Sequence, residues 1–244
     1  MAATFQFKPC TDEEQVKVAK NKQRLIDDKC EHTFTDIAVL RFIRGHKGNE
    51  DKAYHFMQKH VNWRKEEKVG EIHESSIVNM INSKAARIFG QDNRGRPIVN
   101  VLARRHNTYT RDIAEVRRFI IYLLETTMGL TRPEEEQLTI VFDLHQFGMQ
   151  CMDYEAVKML VEILQFNFPD VLGQAFIVNA PFIFYACWYV IQAWLDPVTA
   201  SKVVFCTSVE LKDHVDEASL MMSIGSDECP DPEGALPREV TASE

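Results

Sequence analysis

The chain has 244 residues, of which 45% are hydrophobic, and a formal net charge of −8. That length allows one large domain, or a domain with a small helical lobe, in an ordinary globular protein. The acidic balance argues against a nucleic-acid partner, because binding phosphates needs clustered Lys and Arg. The six cysteines form no CxxC pair. We therefore expect free thiols in a reducing compartment and no metal site.

Residues 1–72 predict an N-terminal helical lobe. A helix begins near Thr11, whose side chain can accept a hydrogen bond from a free amide of the first turn. Residues 35–47 and 51–67 place apolar side chains at helical spacing, which predicts two amphipathic packing helices. The amino terminus lacks the long apolar run of a signal peptide, so we expect a cytoplasmic protein.

Residues 73–225 alternate strands with helices, which predicts an α/β domain with a largely parallel sheet. The turn DNRGRP predicts that the first two strands form a hairpin or a neighbouring edge pair. The later strands are continuous apolar runs, a pattern typical of strands buried on both faces. The predicted strands are 86–90, 97–102, 138–142, 175–179 and 202–206, and the predicted helices are 111–130, 153–167 and 182–195. The acidic, proline-containing residues 226–244 predict a flexible tail.

Residues 174–195 carry no charge over a length that could span a membrane. Pro181 interrupts this run, since proline cannot continue a helix, and we interpret it as a strand, a turn and then an apolar helix. The helix 182–195 has no polar face. Three explanations are open: a buried core helix, a partner interface, or a cover over an apolar ligand that faces a membrane when it opens.

The turn LDPVTASK follows this helix and places Thr199 and Lys202 three residues apart at the start of a strand. A hydroxyl and an ammonium at the edge of an apolar element suit a phosphate. The alternative is a helix cap and a solvated charge. The sequence contains no dinucleotide fingerprint, Walker loop, GxSxG or HExxH motif, and His145 has no positioned nucleophile. We therefore expect a carrier rather than an enzyme such as a lipid hydrolase.

Five segments occur in the order in which a known lipid-binding family has them. They are VLRFIRGHKGNEDKAYHF with WRKEE, DNRGRPIVNV, TIVFDLHQFGMQCMDY, FPDVLGQAFIVNAPFIF and WLDPVTASKVVF. On these segments the chain resembles the CRAL-TRIO family, of the yeast secretory phosphatidylinositol/phosphatidylcholine transfer type, from about residue 36 to 208. The resemblance implies a helical lobe followed by a mostly parallel sheet. That sheet floors a lipid pocket, which the helix 182–195 closes as a mobile gate.

The resemblance also implies which residues hold an inositol phosphate. Thr199 and Lys202 match the family's VTxSK turn, and Asp170 stands where phosphatidylinositol-binding members have Glu. Lys47 matches the lysine of the family's Arg-Lys pair, whereas His46 stands at its arginine. This departure matters, because a neutral histidine lacks the guanidinium fork. A structural ion pair between Asp170 and Lys202 is the alternative interpretation of those two residues.

The gate and the acyl-chain lining are expected to include aromatic residues, namely Phe182, Phe184, Trp188, Tyr189, Phe147 and Phe166. On the choline side the family often has a Ser, and Gln146 and Gln150 do not reproduce it. A cluster of five arginines predicts a solvated face or a membrane-docking patch: Arg104, Arg105, Arg111, Arg117 and Arg118.

The leading hypothesis is a phosphatidylinositol-binding transfer or presentation protein. It would enclose one phospholipid and exchange it for a second lipid at a transient membrane surface. The alternatives are a carrier of a sterol, tocopherol or retinoid-like lipophile, and an interaction module that binds no lipid. Thr199 and Lys202 favour the phospholipid. We expect a monomer, cytoplasmic and peripheral at membranes, with no cofactor other than the bound lipid.

Overall fold

The N-terminal lobe contains α1 (Asp12–Asp27), α2 (Asp36–Gly45) and α3 (Glu50–Glu66). Each helix begins after a side chain that accepts an amide of its first turn, and these caps are Thr11, Thr35 and Asn49. The predicted helix start at Thr11 is therefore confirmed.

The computed structural model describes residues 9–30, 34–132, 136–215, 218, 220, 224–226 and 233–237.

A sheet of five described strands follows the short helix α4 (Val78–Ser83). The strands are β1 (Ala86–Gln91), β2 (Pro97–Leu102), β3 (Leu138–Asp143), β4 (Leu172–Val178) and β5 (Val203–Cys206). They lie side by side in chain order. β1 pairs with β2 antiparallel, and β2 to β5 are parallel. The predicted α/β fold and the edge hairpin are confirmed, although β4 begins three residues earlier than predicted.

The parallel strands are joined through helices. These are α5 (Ile113–Met128), α6 (Tyr154–Asn167), and the pair α7 (Phe184–Gln192) and α8 (Pro197–Ser201). A last short helix, α9 (Ser208–Leu211), follows β5. The charge-free stretch is thus a strand, a turn and a helix, as predicted. Among the described residues, no helix combines the length and the apolar character needed to cross a bilayer.

Successive side chains of the strands lie on opposite faces of the sheet. One face carries Val99, Ile140 and Ile177, which pack towards α5, α6 and α7. The other face carries Val141 and Phe176 and packs against α9 and the chain beyond it. β3 and β4 are therefore buried on both faces, which is why they occur in the sequence as continuous apolar runs, whereas β5 is half-buried.

A buried carboxylate ties the end of the domain to the sheet. Asp143, at the carboxyl end of β3, is fully buried and accepts from Arg104 Nη1 at 2.7 Å and from Asn179 Nδ2 at 3.2 Å. The backbone amides of His145 and Gly225 donate to it at 3.1 and 3.0 Å. Because a buried charge is costly unless it is paired, these donors fix the strand ends together.

Part of the predicted flexible tail 226–244 lies against β1. Leu236 and Ile88 exchange two backbone hydrogen bonds, of 2.7 and 3.0 Å, and Ala235 is buried. These contacts hold residues 233–237 at the free edge of the sheet. Apart from Ser226, the rest of the tail lies outside the described residues.

His60 of α3 joins the lobe to the sheet domain. Its Nδ1 lies 3.2 Å from Asn167 Oδ1 at the end of α6. Burial lowers the pKa of His60 to about 4, and the nearby Arg64 charge acts in the same direction. Four aromatic rings surround it with centroids between 5.5 and 6.2 Å away, those of Phe34, Phe42, Trp63 and Phe168. The histidine is therefore neutral in the folded protein at neutral pH.

The buried histidine predicts a stability that depends on pH. An unfolded histidine has a pKa near 6.5, so the unfolded chain takes up a proton below that pH, whereas folded His60 does so only near pH 4. The contribution of His60 to the free energy of unfolding is therefore fully present above pH 6.5 and is lost as the pH falls towards 4. The loss between pH 8 and pH 5 is about 2 kcal/mol. His60→Gln should therefore show a smaller loss of urea-unfolding free energy over that range than wild type. Identical pH profiles would contradict a neutral, buried His60.

Candidate functional site

A cavity of about 550 Å³ lies between one face of the sheet and the helices α5, α6 and α7. Its floor consists of strand side chains, including Val99, Val101, Ile140, Phe142, Ala175 and Ile177. Its walls include Phe119 of α5, Leu160 of α6, and Phe184 and Trp188 of α7. A lining of this kind suits hydrocarbon, because burying apolar surface away from water is favourable.

The charged and histidine side chains of the lining gather at two opposite ends of the cavity. The charged end lies at the amino ends of β4 and β5, and the histidine end lies beyond the carboxyl ends of β2 and β3. Helix α6 runs from one end to the other, and its 14 residues correspond to about 20 Å. The charged end contains Arg44, Lys47, Asp170, Asp196, Thr199 and Lys202, and the histidine end contains His106 and Asp153.

Lys202 is the most deeply buried cation of the charged end, with 4% of its surface exposed. Its Nζ donates to Asp170 Oδ1 at 3.1 Å and to the Leu172 carbonyl at 2.7 Å. Asp170 lies in the turn after α6 with a left-handed backbone, φ +58°, a conformation that aspartate tolerates better than most residues. The ion pair between Asp170 and Lys202, which the sequence left open, is present in the structure.

Thr199 donates its hydroxyl to a carboxylate at the same end. Asp196 precedes α8 and accepts from Thr199 Oγ1 at 2.5 Å, and from the amides of Val198 and Thr199. The pKa of Asp196 lies below its usual value. Burial alone would raise this pKa, but the hydrogen bonds from Thr199 and Val198 and the charge of Lys202 lower it by more. Thr199 must turn its hydroxyl away from Asp196 before it can donate to a phosphate.

Arg44 lines the charged end and was missed by the sequence reasoning. Its Nε and Nη2 donate to the two carboxylate oxygens of Glu14 at 2.8 and 2.9 Å, and Nη2 also donates to the Pro9 carbonyl at 3.0 Å. The bond from Arg44 lowers the pKa of Glu14 to about 2. This fork of hydrogen bonds attaches the first turn of α1 to the charged end.

The structure does not bring His46 to the cavity. Its Nδ1 lies 2.8 Å from the Phe42 carbonyl, and its ring centroid lies 4.3 Å from that of Phe56. The Phe56 ring in turn stacks on Phe166, whose side chain lies outside the lining as well. Burial lowers the pKa of His46, which favours its neutral form. The guanidinium that lines the charged end belongs to Arg44, and it is paired with Glu14.

Helix α7 has two apolar faces with different surroundings. Phe184 and Trp188 line the cavity, together with Phe147 from the loop after β3. On the outer face Phe182, just before the helix, is 92% exposed and Tyr189 is 81% exposed. Helix α7 is therefore not a buried core helix, the first of the three explanations. Its structure fits a cover over an apolar space with an outer face that remains open to a membrane or a partner.

The histidine end is built around a buried carboxylate. Asp153 is 3% exposed, and its Oδ2 lies 3.0 Å from His106 Nε2 and 2.7 Å from Arg111 Nε. Its Oδ1 accepts the amide of Ala156, which caps α6. The pKa of Asp153 lies below its usual value. Burial alone would raise this pKa, but the hydrogen bonds from Arg111, Ala156 and His106 lower it by more, so the carboxyl is ionised at neutral pH. The sequence reasoning singled out neither His106 nor Asp153.

Three members of the predicted arginine cluster form ion pairs inside the protein. Arg104 pairs with Asp143, and Arg111 pairs with Asp153. Arg117 Nη2 lies 2.5 Å from Glu67 Oε1. The charges of these three arginines are therefore neutralised within the chain.

The chain is similar to proteins of one family. The sequence model of the CRAL/TRIO domain matches residues 81–225. A CRAL-TRIO domain-containing protein of Schizosaccharomyces pombe, C3H8.02, is 31% identical over 78% of this chain and 45% of its own length. The phosphatidylinositol transfer protein CSR1 of Eremothecium gossypii is 31% identical over 79% of this chain and 47% of its own. The chain thus spans about half the length of these curated relatives.

A solved structure has the same fold. The crystal structure of Sfh5 superimposes with a TM-score of 0.68, covers 85% of each chain and is 18% identical in sequence. At that identity the likeness concerns the arrangement of helices and strands.

The contact between the lobe and the charged end predicts the effect of one substitution. A Cβ added at Gly45 would lie 2.8 Å from the Pro169 Cβ, which is too close for two carbons. Gly45→Ala should therefore displace the turn that holds Asp170 and lower the free energy of unfolding by about 1–3 kcal/mol. Gly70→Ala is the matched control, because no atom of the described residues lies within 4 Å of its new methyl group. Equal unfolding midpoints for the two variants would contradict this contact.

Proposed function

Because the chain belongs to the CRAL/TRIO domain family, we propose that it encloses one molecule of phosphatidylinositol and exchanges it for a second lipid at a membrane. The observation that carries the proposal is an apolar cavity whose cations gather at one end. The relative named as a phosphatidylinositol transfer protein supports the same assignment. The proposed activity is transport, performed by a cytoplasmic monomer that touches membranes transiently, and it includes no catalytic step.

The proposed pose places the acyl chains in the apolar part of the cavity and the phosphate at the charged end. Each Å² of apolar surface removed from water contributes about 25 cal/mol, so two acyl chains favour the enclosed state strongly. Lys47 is exposed and forms no ion pair with another described residue, which makes it the first cation that a phosphate meets. Lys202 and Arg44 then exchange a carboxylate partner for the phosphate, and Asp170 and Asp196 can accept from inositol hydroxyls.

A carrier of an uncharged lipophile is the second candidate. It is favoured by the pairing at the charged end, where Lys202 contacts Asp170 and Arg44 contacts Glu14. An uncharged ligand leaves these pairs intact. Mass spectrometry of an organic extract of the purified protein distinguishes the candidates, since the first predicts a stoichiometric phospholipid. An extract without phospholipid, from protein that also takes up no labelled phosphatidylinositol from vesicles, would refute the first candidate.

The headgroup assignment predicts a selective loss of transfer. Lys202→Met keeps the apolar stem of the side chain and removes the buried charge that a phosphate requires. We expect phosphatidylinositol transfer between vesicles to fall at least roughly tenfold, because a charge-assisted hydrogen bond contributes about 1.5–3 kcal/mol. Phosphatidylcholine also carries a phosphate, but its choline group has no hydroxyl to donate to Asp170 or Asp196. We therefore propose that its phosphate lies elsewhere, and its transfer, where wild type performs it, should be largely retained.

The double variant Lys202→Met with Asp170→Asn separates binding from folding. It also removes the charge of Asp170, which Lys202→Met leaves without its ion-pair partner, so its stability should exceed that of Lys202→Met while its phosphatidylinositol transfer stays low. Equal loss of both labelled lipids in the single and the double variant would mean that Lys202 is structural.

The outer face of α7 predicts a second effect on transfer. Tyr189→Asp places a charge on a surface that we propose enters the membrane interface, and exchange should slow roughly tenfold, since burying one aromatic side chain contributes about 1.5–3 kcal/mol. Tyr109→Asp is the matched control, because Tyr109 is 80% exposed and lies in the loop after β2. Both variants should keep wild-type thermal stability. Equal exchange rates for the two variants would count against a membrane-facing gate.

A further inference from the structure

The first turn of α1 is joined to the charged end of the cavity through one arginine. Arg44 Nε and Nη2 donate to the two carboxylate oxygens of Glu14, and Nη2 also donates to the Pro9 carbonyl. Among the described residues, the hydrogen bonds that join residues 9–16 to the rest of the lobe all go to Arg44. The Arg44 and Glu14 side chains are 17% and 22% exposed, so this ion pair is largely removed from water.

The later turns of α1 are held independently of its first turn. Val18 and Leu25 are buried in the core of the lobe, and Arg24 forms an ion pair of 2.9 Å with a carboxylate of α3. Residues 11–16 are exposed, apart from Glu14. Local opening needs little energy where few buried contacts are lost. The first turn can therefore leave the lobe while the body of the helix stays packed.

A phosphate and the Glu14 carboxylate need the same hydrogen-bond donors of Arg44. Each accepts a pair of parallel hydrogen bonds from a guanidinium. In the proposed pose the phosphate takes Arg44 as its partner, so it must displace Glu14. The displaced carboxylate moves into water, because burying an unpaired charge is costly. The acidic first turn, with Asp12, Glu13 and Glu14, is also repelled by the phosphate.

The same exchange at Lys202 displaces no helix. Its partner Asp170 lies in the turn between α6 and β4, where the backbone carbonyl of Asp170 accepts Gln137 Nε2 at 3.2 Å. That turn continues directly into β4, whose first residue, Leu172, gives its carbonyl to Lys202 Nζ. The two carboxylates thus differ in how firmly the chain around them is anchored. The structural consequence of a bound phosphate should therefore appear at Glu14.

We propose that Glu14 competes with the lipid phosphate for Arg44, and that the first turn of α1 is released when an anionic phospholipid binds. An uncharged lipid leaves Arg44 paired with Glu14 and residues 9–16 docked on the lobe. Glu14 thereby determines how strongly an anionic lipid is preferred over an uncharged one. The release gives the loaded protein a surface that the lipid-free protein lacks. The inference rests on the proposed function, because it needs a phosphate at the charged end.

The first test measures the affinity of Glu14→Gln for labelled phosphatidylinositol. Glutamine keeps an oxygen for the capping box with Thr11 but removes the charge that competes for Arg44. We expect the variant to bind this lipid about tenfold more tightly than wild type, because no charge-assisted contact has to be broken first. A merely structural role for Glu14 predicts an unchanged or lower affinity.

Two controls accompany this measurement. Diacylglycerol with the same acyl chains has no phosphate, so Glu14→Gln should bind it with wild-type affinity. Glu13→Gln removes the same charge from an exposed side chain of the same turn, which pairs with Lys17 rather than with Arg44. This variant should keep the wild-type affinity for both lipids.

The second test measures the release of the first turn in wild type. Cys10 packs partly buried against the lobe just before this turn, and Cys30 lies just after the other end of α1. Loading with phosphatidylinositol should speed the alkylation of Cys10 by iodoacetamide at least about threefold, because a released segment is open to the reagent. Alkylation of Cys30 should keep its rate, and loading with diacylglycerol should change neither rate. Peptide mass spectrometry resolves the two thiols.

The outcomes separate this inference from the proposed function. A phosphatidylinositol affinity of Glu14→Gln at or below that of wild type, or an equal rise for diacylglycerol, overturns the competition. An unchanged Cys10 rate in phosphatidylinositol-loaded wild type overturns the release, even where Glu14→Gln fails to fold. In these cases wild type that binds and transfers phosphatidylinositol leaves the proposed function standing. Wild type that binds no phosphatidylinositol overturns the proposed function and the inference with it.

Discussion

The order of the strands in the sheet is the constraint on which the cavity depends. β2 to β5 are parallel neighbours in chain order. Right-handed crossovers between successive strands bring their helices to the same side, so α5, α6 and α7 share one face of the sheet and the short α9 covers the other. The helices leave a space above the sheet, and the apolar side chains of strands buried on both faces line it.

The charges around this space are paired with one another within the protein. Lys202 contacts Asp170, Arg44 contacts Glu14, and Asp153 contacts Arg111. Each pair avoids the several kcal/mol that an unpaired buried charge costs. A ligand can enter such a site either by replacing a partner of equal charge or by avoiding the pairs altogether. The phosphate of the proposed phospholipid would take the first route at the charged end, and an uncharged lipophile would take the second.

The sequence allowed the elements and one part of the site to be predicted, because both follow from local rules. Continuous apolar runs predicted the strands. The absence of a polar face in 182–195 predicted a helix with apolar side chains on both sides. Asp170 and Lys202 came from the resemblance to the family's motifs, and the parallel strand order explains why they meet, since residues that precede adjacent strands lie at the same edge. Side-chain direction at a helix end does not follow in this way. Arg44 and His46 are two positions apart, which corresponds to about 200° around a helix axis, and α2 ends between them at Gly45. Their side chains therefore point in different directions. Matching the family's motif selected His46, whereas Arg44 lines the cavity. His106 and Asp153 lie 47 residues apart in two loops, and only the packing of those loops brings them together.

The different surroundings of the two faces of α7 give a physical reason why lipid exchange would occur only at a membrane. Its inner side chains Phe184 and Trp188 face the lipid space, so opening the helix in water exposes both this face and the bound hydrocarbon. Its outer face, with Phe182 and Tyr189, is already exposed and gains from any apolar surface that covers it. In water the first effect keeps the helix closed. In the proposed function both faces meet apolar surroundings at a bilayer, so opening costs less there than in water, and the lipid leaves for an environment equivalent to the one it occupied.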